Sequence, residues 1–255
     1  MLPIRPIVFL IALAPLAPGQ DRAAVEPKSL PAPDQPVAPV TPPVEQLDES
    51  RFRIGEVTFD KKTREIRFPA QVNMTEGLLE FLVVHKNGKL HESLFFTEAS
   101  PLDLNLAFTL LRYKPSRELY PLPSATGGAS TNFPDVPAET KAAARVDIFV
   151  EWTEDGKTRR LPANDLVQHE VKAVAMPPGP WVYGGSDIHD GKFIAETTGD
   201  VIAIYLAMSA LVNYPGEDRS DDTVWIPFTN RVPPEGTKVT VIIAPHRKPQ
   251  PPDSP

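Results

Sequence analysis

The segment from Leu78 to Leu111 constrains the fold most, because it combines signals for two strands and a helix. Its first half has two apolar runs, 78–84 and 90–97, on either side of Asn87-Gly88. Asn-Gly between two such runs favours a type I′ turn, in which both central residues have positive φ. The sequence therefore predicts an antiparallel hairpin that pairs Val84 with His91 and Val83 with Glu92.

The second half of this segment predicts a helix. Ser100 is followed by Pro101 and Asp103, a pattern typical of an N-cap, a proline in the first turn and an acid three residues after the cap. Apolar residues then cover nearly the whole helix circumference as far as Tyr113, and the following Lys-Pro pair ends the helix. We expect one prominent helix at 101–113, buried against a sheet.

The rest of the central region favours strands. Runs rich in β-branched and aromatic residues, separated by turn residues, predict strands at 54–59, 65–68, 145–152, 160–161, 166–174, 193–196, 201–206, 223–228 and 238–243, and one beginning at Trp181. Residues 201–212 also fit a buried helix, although their β-branched start favours a strand. The predicted fold class is α+β. It combines a mainly antiparallel β-sheet, for which a sandwich is one arrangement, with one prominent buried helix near 101–113.

The two ends of the chain differ in composition from this central region. Arg5 precedes an apolar run at 7–17 and small residues up to Gly19, which predicts a signal peptide at 1–19 and an exported protein, periplasmic or extracellular. That run is too short to span a bilayer, so we expect no stable membrane span after cleavage. Residues 20–51 are Pro-rich and predict a disordered tether, and 246–255 predict a disordered tail. A single domain is expected at 52–245, with a long loop at 115–141.

Composition excludes several classes of function. The chain contains no cysteine, which rules out disulfides, thiolate-ligated Fe–S clusters, Cys-ligated zinc and thiol nucleophiles. Its net charge is −7 and it has no basic block, which argues against nucleic acid and against an anionic membrane surface as partners. No cofactor is predicted, although a divalent cation fits the acidic segments.

Glu92 is the most unusual residue of the predicted hairpin. Successive strand residues point to opposite faces, so the expected register separates His91 from Glu92. Glu92 then shares an otherwise apolar face with His85, where a carboxylate is costly unless it is paired. The candidates for acid–base chemistry are therefore Glu92, His85 and His91. The alternative is a structural carboxylate satisfied by His85 or by backbone amides.

Two polar segments are candidates for a divalent cation. Asp187, His189 and Asp190 lie within a short segment that begins with Gly184-Gly185. Asp221 and Asp222 belong to an acidic segment, 216–222, just before Trp225. Carboxylate oxygens and imidazoles are suitable ligands, but neither segment has the ordered spacing of an EF-hand loop. Both also fit solvated turns.

Several segments together resemble the YdjY domain of bacterial exported proteins. They are FPAQVN (68–73), the run 78–111, WVYGGS (181–186), KFIAETTGDVIAIY (192–205) and VPPEGTKVTVIIAP (232–245). The resemblance covers essentially the whole predicted domain and implies no specific activity. Some members carry a ferredoxin-like label, which a chain without cysteine does not fit.

Three functions are compatible with these features. The first is an exported, non-catalytic binding or interaction module of unknown ligand, with an envelope protein or a glycan as its partner. The second is a metal-assisted hydrolase or carbohydrate-active enzyme of the cell envelope. That enzyme would require at least three of the candidate acids and histidines to converge on one open pocket. The third is a structural protein of the envelope.

Overall fold

Short strands are the main regular elements of the described chain, residues 43–124 and 130–247 of a computed structural model. Three helices accompany them in these ranges, α1 (Pro101–Leu110), α2 (Ala138–Ala143) and α3 (Ile194–Thr198). The strands are β1 (Glu45–Gln46), β2 (Arg51–Ile54), β3 (Val57–Asp60), β4 (Ile66–Val72), β5 (Phe81–His85), β6 (Ser93–Thr97), β7 (Arg145–Glu154), β8 (Lys157–Pro162), β9 (Val167–His169), β10 (Trp181–Tyr183), β11 (Ile188–His189), β12 (Lys192–Phe193), β13 (Asp200–Ala203), β14 (Val212–Asn213), β15 (Trp225–Pro227) and β16 (Lys238–Pro245).

Eight of the strands form a closed barrel. Going around it, the order is β4-β16-β7-β10-β14-β13-β5-β6, and β6 pairs with β4 to close the ring. The β13–β14 and β5–β6 pairs are parallel and the other six are antiparallel. Strands β3, β2 and β1 extend the sheet from β4, and β8 pairs with the C-terminal part of β7, from Phe149 to Glu154. Closure removes most free edges, which is how a mainly β chain avoids edge-to-edge association.

The barrel corrects the predicted fold class. The protein is mainly β with three short helices in the described residues, not a sandwich-like α+β fold with a prominent helix. A half-buried strand has the same alternation in a sandwich and in a barrel. The difference lies in which distant strands pair, and strand periodicity does not encode that.

The hairpin predicted at Asn87-Gly88 is wrong. Strands β5 and β6 are parallel, with Phe81 opposite Ser93 and His85 opposite Thr97. Neither residue of Asn87-Gly88 is among those with positive φ, so the type I′ turn does not form. Instead residues 86–92 run back along β5 and end in a 3₁₀ turn at Leu90–Glu92, which is a short crossover for a parallel pair.

The predicted helix exists, but it is shorter and only one face is buried. The Ser100 hydroxyl accepts hydrogen bonds from the amides of Leu102 and Asp103, as expected of the cap. Leu104, Ala107 and Phe108 are fully buried, and the Phe108 ring stacks on Tyr183 with ring centroids 4.1 Å apart. The prominent helix predicted at 101–113, apolar around nearly its whole circumference and buried against a sheet, is therefore wrong in extent, since Leu102 and Leu110 are exposed.

Two other elements differ from their predictions. The strand expected at 54–59 is broken at Gly55, where φ is +51° and the chain turns between β2 and β3. The strand expected at 193–196 is the short helix α3 instead, which ends at Gly199. Residues 201–203, by contrast, form part of β13, as predicted.

The main core fills the barrel and the space between it and the surrounding elements. It contains Trp181, Phe68, Phe95 and Phe108, all fully buried, together with the aliphatic residues of β4, β7 and β16. Inside it the Trp181 Nε1–H donates to Asn164 Oδ1 at 3.0 Å. Burying this donor is therefore not costly, because it has an acceptor.

Several predictions concern residues outside the described ranges. The signal peptide at 1–19 and most of the tether lie there, as do residues 125–129 of the long loop and 248–255 of the tail. The last residues assigned to the tether are ordered, because β1 pairs with β2 through Glu45 and Arg53. The described part of the long loop includes α2. Within 43–124 and 130–247, no helix is long and apolar enough to cross a membrane.

Candidate functional site

Glu92 and His91 lie together in a charged surface cluster. Because both belong to the 3₁₀ turn before β6 and not to a strand, their side chains meet, with His91 Nε2 3.0 Å from Glu92 Oε1. Lys89 Nζ contacts Glu92 Oε2 at 3.2 Å and Glu80 Oε2 at 2.9 Å. The separation of His91 from Glu92 expected from the hairpin register is therefore wrong.

The two carboxyl groups of this cluster have pKa values shifted in opposite directions. Burial and the neighbouring Glu92 charge raise the pKa of Glu80 against the attraction of Lys89. Burial also acts to raise the pKa of Glu92, but hydrogen bonds with Glu80 and Lys89 and the charge of His91 outweigh it, so this pKa is lowered. Opposite shifts in adjacent acids are typical of acid–base pairs as well as of structural charge clusters.

His85 does not belong to this cluster. It lies at the far end of β5, opposite Thr97, whereas Glu80 and Glu92 lie next to the start of the β5–β6 pair. Its Nδ1 accepts the amide hydrogen of Asn87 at 3.3 Å. The length of β5 thus separates His85 from Glu92, and the proposed partnership between them has no structural basis.

The candidate cation ligands are also dispersed. Asp187 pairs with Arg117, while His189 and Asp190 are exposed in the β11–β12 hairpin. Asp221 Oδ1 accepts hydrogen bonds from its neighbour Thr223, and Asp222 is exposed. In the described part of the chain no three His, Asp or Glu side chains are grouped to hold a metal ion. The divalent cation remains a prediction without a site among these residues.

The structure instead brings other residues around a pocket of about 260 Å³, which we call the aromatic pocket. It is lined by a set of aromatic, small apolar and charged residues, namely His169, Lys172, Val174, Ala175, Pro177, Tyr214, Gly216, Glu217, Asp218 and Trp225. Antiparallel pairing of β9 with β15 places His169 directly opposite Trp225. Opposed residues of such a pair share a face, which explains why their rings meet.

Three aromatic rings form the wall of this pocket. His169 meets Trp225 with ring centroids 5.4 Å apart, and Trp225 meets Tyr214 at 5.7 Å, both edge to face. Tyr214 also contacts the core residue Trp181, 5.6 Å away. These separations are those of favourable aromatic pairs, so the wall is anchored to the barrel core.

The polar groups of the pocket lie around Asp218. Its Oδ2 is 3.7 Å from His169 Nε2 and 3.5 Å from Lys172 Nζ. His169 Nδ1 accepts the amide hydrogen of Lys172 at 3.4 Å. A neutral imidazole has one donor and one acceptor nitrogen, so this network assigns the proton to Nε2, facing the Asp218 carboxylate. His169 Nδ1 is therefore engaged in a hydrogen bond, and Nε2 faces the Asp218 carboxylate just beyond hydrogen-bonding distance.

Tyr214 supplies a hydroxyl that has no hydrogen-bond partner among the described residues and is not itself fully buried. The residue is 5% exposed, and within 43–124 and 130–247 no hydrogen bond to its hydroxyl is found. Burial, together with the charges of Asp218 and Glu217, raises its pKa to about 12. A Cβ at Gly216 would lie 2.1 Å from this hydroxyl, so any residue other than glycine would clash with the Tyr214 ring in its present position.

Sequence reasoning missed most of this pocket. It singled out the acidic segment 216–222 but selected Asp221 and Asp222, whereas Asp218 is the residue that faces His169. His169 and Tyr214 gave no local signal, because each is a single residue at the end of a short strand-like run and belongs to no recognisable motif. The neighbouring Trp225 was the available sign, since a tryptophan beside an acidic loop is typical of binding surfaces.

These features define a class of protein, a mainly β domain built on a closed eight-stranded barrel with an aromatic pocket between β9, β15 and the loop after β14. The chain belongs to the YdjY domain family, whose model matches residues 57–244. This confirms the resemblance seen in the sequence. No curated protein and no solved structure gives a significant match to the chain.

Proposed function

We propose that the protein is a non-catalytic binding module whose ligand enters the aromatic pocket. The observation that carries this proposal is the combination of an aromatic wall with the unpartnered Tyr214 hydroxyl inside a pocket of about 260 Å³. Concave sites with mostly apolar walls and a few polar groups are the usual form of ligand sites. The volume is slightly below the roughly 300–1,000 Å³ of drug-sized sites, so it fits one ring or one side chain.

The engagement of His169 supports binding and not catalysis at this pocket. A histidine acts as a general base through a nitrogen lone pair that is free to accept a proton. Here Nδ1 already accepts an amide hydrogen and Nε2 faces Asp218. The hydroxyl of Tyr214 lines the same pocket, and its raised pKa makes it a poor nucleophile at neutral pH.

One observation favours a second candidate, the carbohydrate-active enzyme. Glu80 and Glu92 have oppositely shifted pKa values, as the acid and base of a glycosidase do. Glycosidase carboxyls, however, stand about 5–9.5 Å apart so that substrate fits between them. Glu80 and Glu92 share one Lys89 ammonium instead. Hydrolysis of chromogenic glycosides that Glu92→Gln abolishes would favour the enzyme over the binding module.

We also propose that the protein is exported to the periplasm or the extracellular space. The charged start, the apolar run at 7–17 and the small residues up to Gly19 support this. The absence of cysteine is compatible with either compartment. Fractionation of cells, with mass spectrometry of the mature N-terminus, tests the proposal. A protein that keeps residues 1–19 and stays in the cytoplasm would refute it.

Ligand-observed NMR with a fragment library tests the binding proposal. In Gly216→Ala the new Cβ displaces the Tyr214 ring, which lines the pocket, so fragments that bind the wild type there should lose their signal. Ser220→Ala is the matched control, because this exposed residue lies in the same loop and does not line the pocket. Circular dichroism checks that both variants fold. If the same fragments bind wild type and Gly216→Ala equally, the pocket is not the site.

A further inference from the structure

We propose that the aromatic pocket takes the side chain of a lysine or arginine presented by a partner protein. The inference rests on the proposed function and names the class of ligand. It follows from three features of the pocket: the carboxylates at one side, the apolar and aromatic walls, and the exposed apolar turn beside it. Each feature is matched by one part of such a ligand.

The charge of the pocket favours a cation. Asp218 and Glu217 both line it, and their negative charges add to the effect of burial in raising the pKa of the Tyr214 hydroxyl. The same negative potential attracts a positive group placed next to that hydroxyl. Arg219 does not neutralise the carboxylates, because its guanidinium is turned back to the carbonyl of Gly216, 3.2 Å away.

The walls of the pocket suit a cation that is carried on an apolar stem. Val174, Pro177 and Trp225 offer apolar surface to methylene groups, and the ring of Tyr214 offers a face or an edge near Asp218. Lysine and arginine side chains combine an apolar stem with a charged tip. An ammonium or guanidinium near an aromatic ring gains about 0.5–2 kcal/mol from the cation–π interaction.

Lys172 of the protein itself shows where the charged tip would bind. Its ammonium is 3.5 Å from Asp218 Oδ2, and its side chain is 59% exposed. A pair this exposed is worth no more than about 1 kcal/mol, so an incoming cation displaces it at small cost. Besides the buried His169 ring at 3.7 Å, the Asp218 carboxylate thus has only this exchangeable cation as an ionic partner among the described residues.

A partner protein is favoured over a free amine by the turn next to the pocket. Val171 is 84% exposed and Val174 is 54% exposed on this turn, which follows β9. Ala173 holds the turn with φ of +52°, a conformation that costs a non-glycine residue free energy. These two valines extend the apolar surface of the pocket outward, and apolar surface that is rimmed by polar groups marks protein interaction sites. A peptide chain that inserts its cation would cover both valines.

Titrations of ¹⁵N-labelled protein with three synthetic peptides test the proposal. The peptides are identical except for a central lysine, arginine or norleucine, where norleucine keeps the stem and removes the charge. We expect the lysine and arginine peptides to shift the amides of 169–174 and 214–218 and to bind at least about tenfold more tightly than the norleucine peptide. Binding should weaken as salt is raised.

Two charge variants locate the contact. Asp218→Asn should weaken the lysine peptide about tenfold, and asparagine tolerates the positive φ of 60° at this position. Asp222→Asn removes the same charge from the same loop at an exposed residue outside the pocket, so it should change binding less than twofold. An equal effect of the two variants would refute a specific contact with Asp218.

The outcomes separate this inference from the proposed function. If the norleucine peptide binds as tightly as the lysine peptide, or if only neutral fragments and sugars bind, the cationic ligand is refuted and the binding pocket stands. If no peptide and no fragment distinguishes wild type from Gly216→Ala, the binding pocket itself is refuted. Loss of binding to Asp218→Asn but not to Asp222→Asn, with a strong preference for charge, supports both.

Discussion

Replacing Gly55 by alanine should destabilise the protein through two separable effects. Gly55 turns the chain between Ile54 and Val57 with φ of +51°, a region that costs other L-residues roughly 1–2 kcal/mol. In addition, a Cβ at this position would lie 2.5 Å from Oδ2 of Asp103 on α1. Relieving such a clash in a packed site costs typically about 1–3 kcal/mol. The total of about 2–5 kcal/mol is a large part of the roughly 5–15 kcal/mol that stabilises a domain.

A double-mutant cycle in urea separates the two effects. In an Asp103→Ala background the clash disappears and only the strain remains, so Gly55→Ala should then cost about 1–2 kcal/mol. Gly156→Ala is a control for strain alone, because Gly156 has φ of +73° and no atom within 4 Å of its Cβ position. An equal cost of Gly55→Ala in both backgrounds would refute the contact between the β2–β3 turn and α1.

Three further predictions concern ionisable groups. Burial and the nearby Glu196 raise the pKa of Asp103, so the native state favours its protonated form. Protonated Asp103 therefore contributes to the free energy of unfolding at low pH, and this contribution is lost as pH rises above about 4. Asp103→Asn should therefore raise the urea midpoint at pH 7. The free energy of unfolding should increase by up to about 1 kcal/mol after solvent screening, and this gain should vanish near pH 3. Glu196→Ala removes an acceptor 2.9 Å from the first free amide of α1 and should cost about 1 kcal/mol in thermal unfolding. Burial raises the pKa of Tyr120, Tyr183 and Tyr214 to about 12, so stability should fall as pH rises from 10 to 12, and absorbance at alkaline pH should show their late ionisation.

Each of these three predictions has a result that would contradict it. A gain from Asp103→Asn that persists unchanged at pH 3 would mean that charge is not its cause. An unchanged midpoint in Glu196→Ala would show that Ser100 caps the helix alone. Ionisation of Tyr120, Tyr183 and Tyr214 in the native protein near pH 10 would contradict the burial of these residues.

Local signals in the sequence predicted local structure well. The N-cap at Ser100 formed as expected because its hydrogen bonds reach only two and three residues along the chain. Asp155 and Gly156, residue types that favour turns, likewise have positive φ where β7 and β8 pair around them. Such features depend on short-range geometry, which residue type largely fixes.

The Asn87-Gly88 pair shows where local signals fail. The turn preference of Asn87-Gly88 stabilises only one local conformation. The parallel pairing that forms instead buries β5 and β6 side by side within a closed barrel. Tertiary burial outweighs local preference when the two conflict. The error then propagated to Glu92, because its expected partner depended on the register of a hairpin that does not form.

The sequence alone determined the family, the strand-rich character of the domain, the capped helix and the exclusion of thiol chemistry. Tertiary structure decided the closure of the barrel, the parallel pairing of β5 with β6 and the assembly of the aromatic pocket. The physical reason is the distance along the chain over which each interaction acts. Turns, caps and composition act over a few residues, whereas His169, Tyr214 and Trp225 meet only because β9 pairs with β15 beside the end of β14.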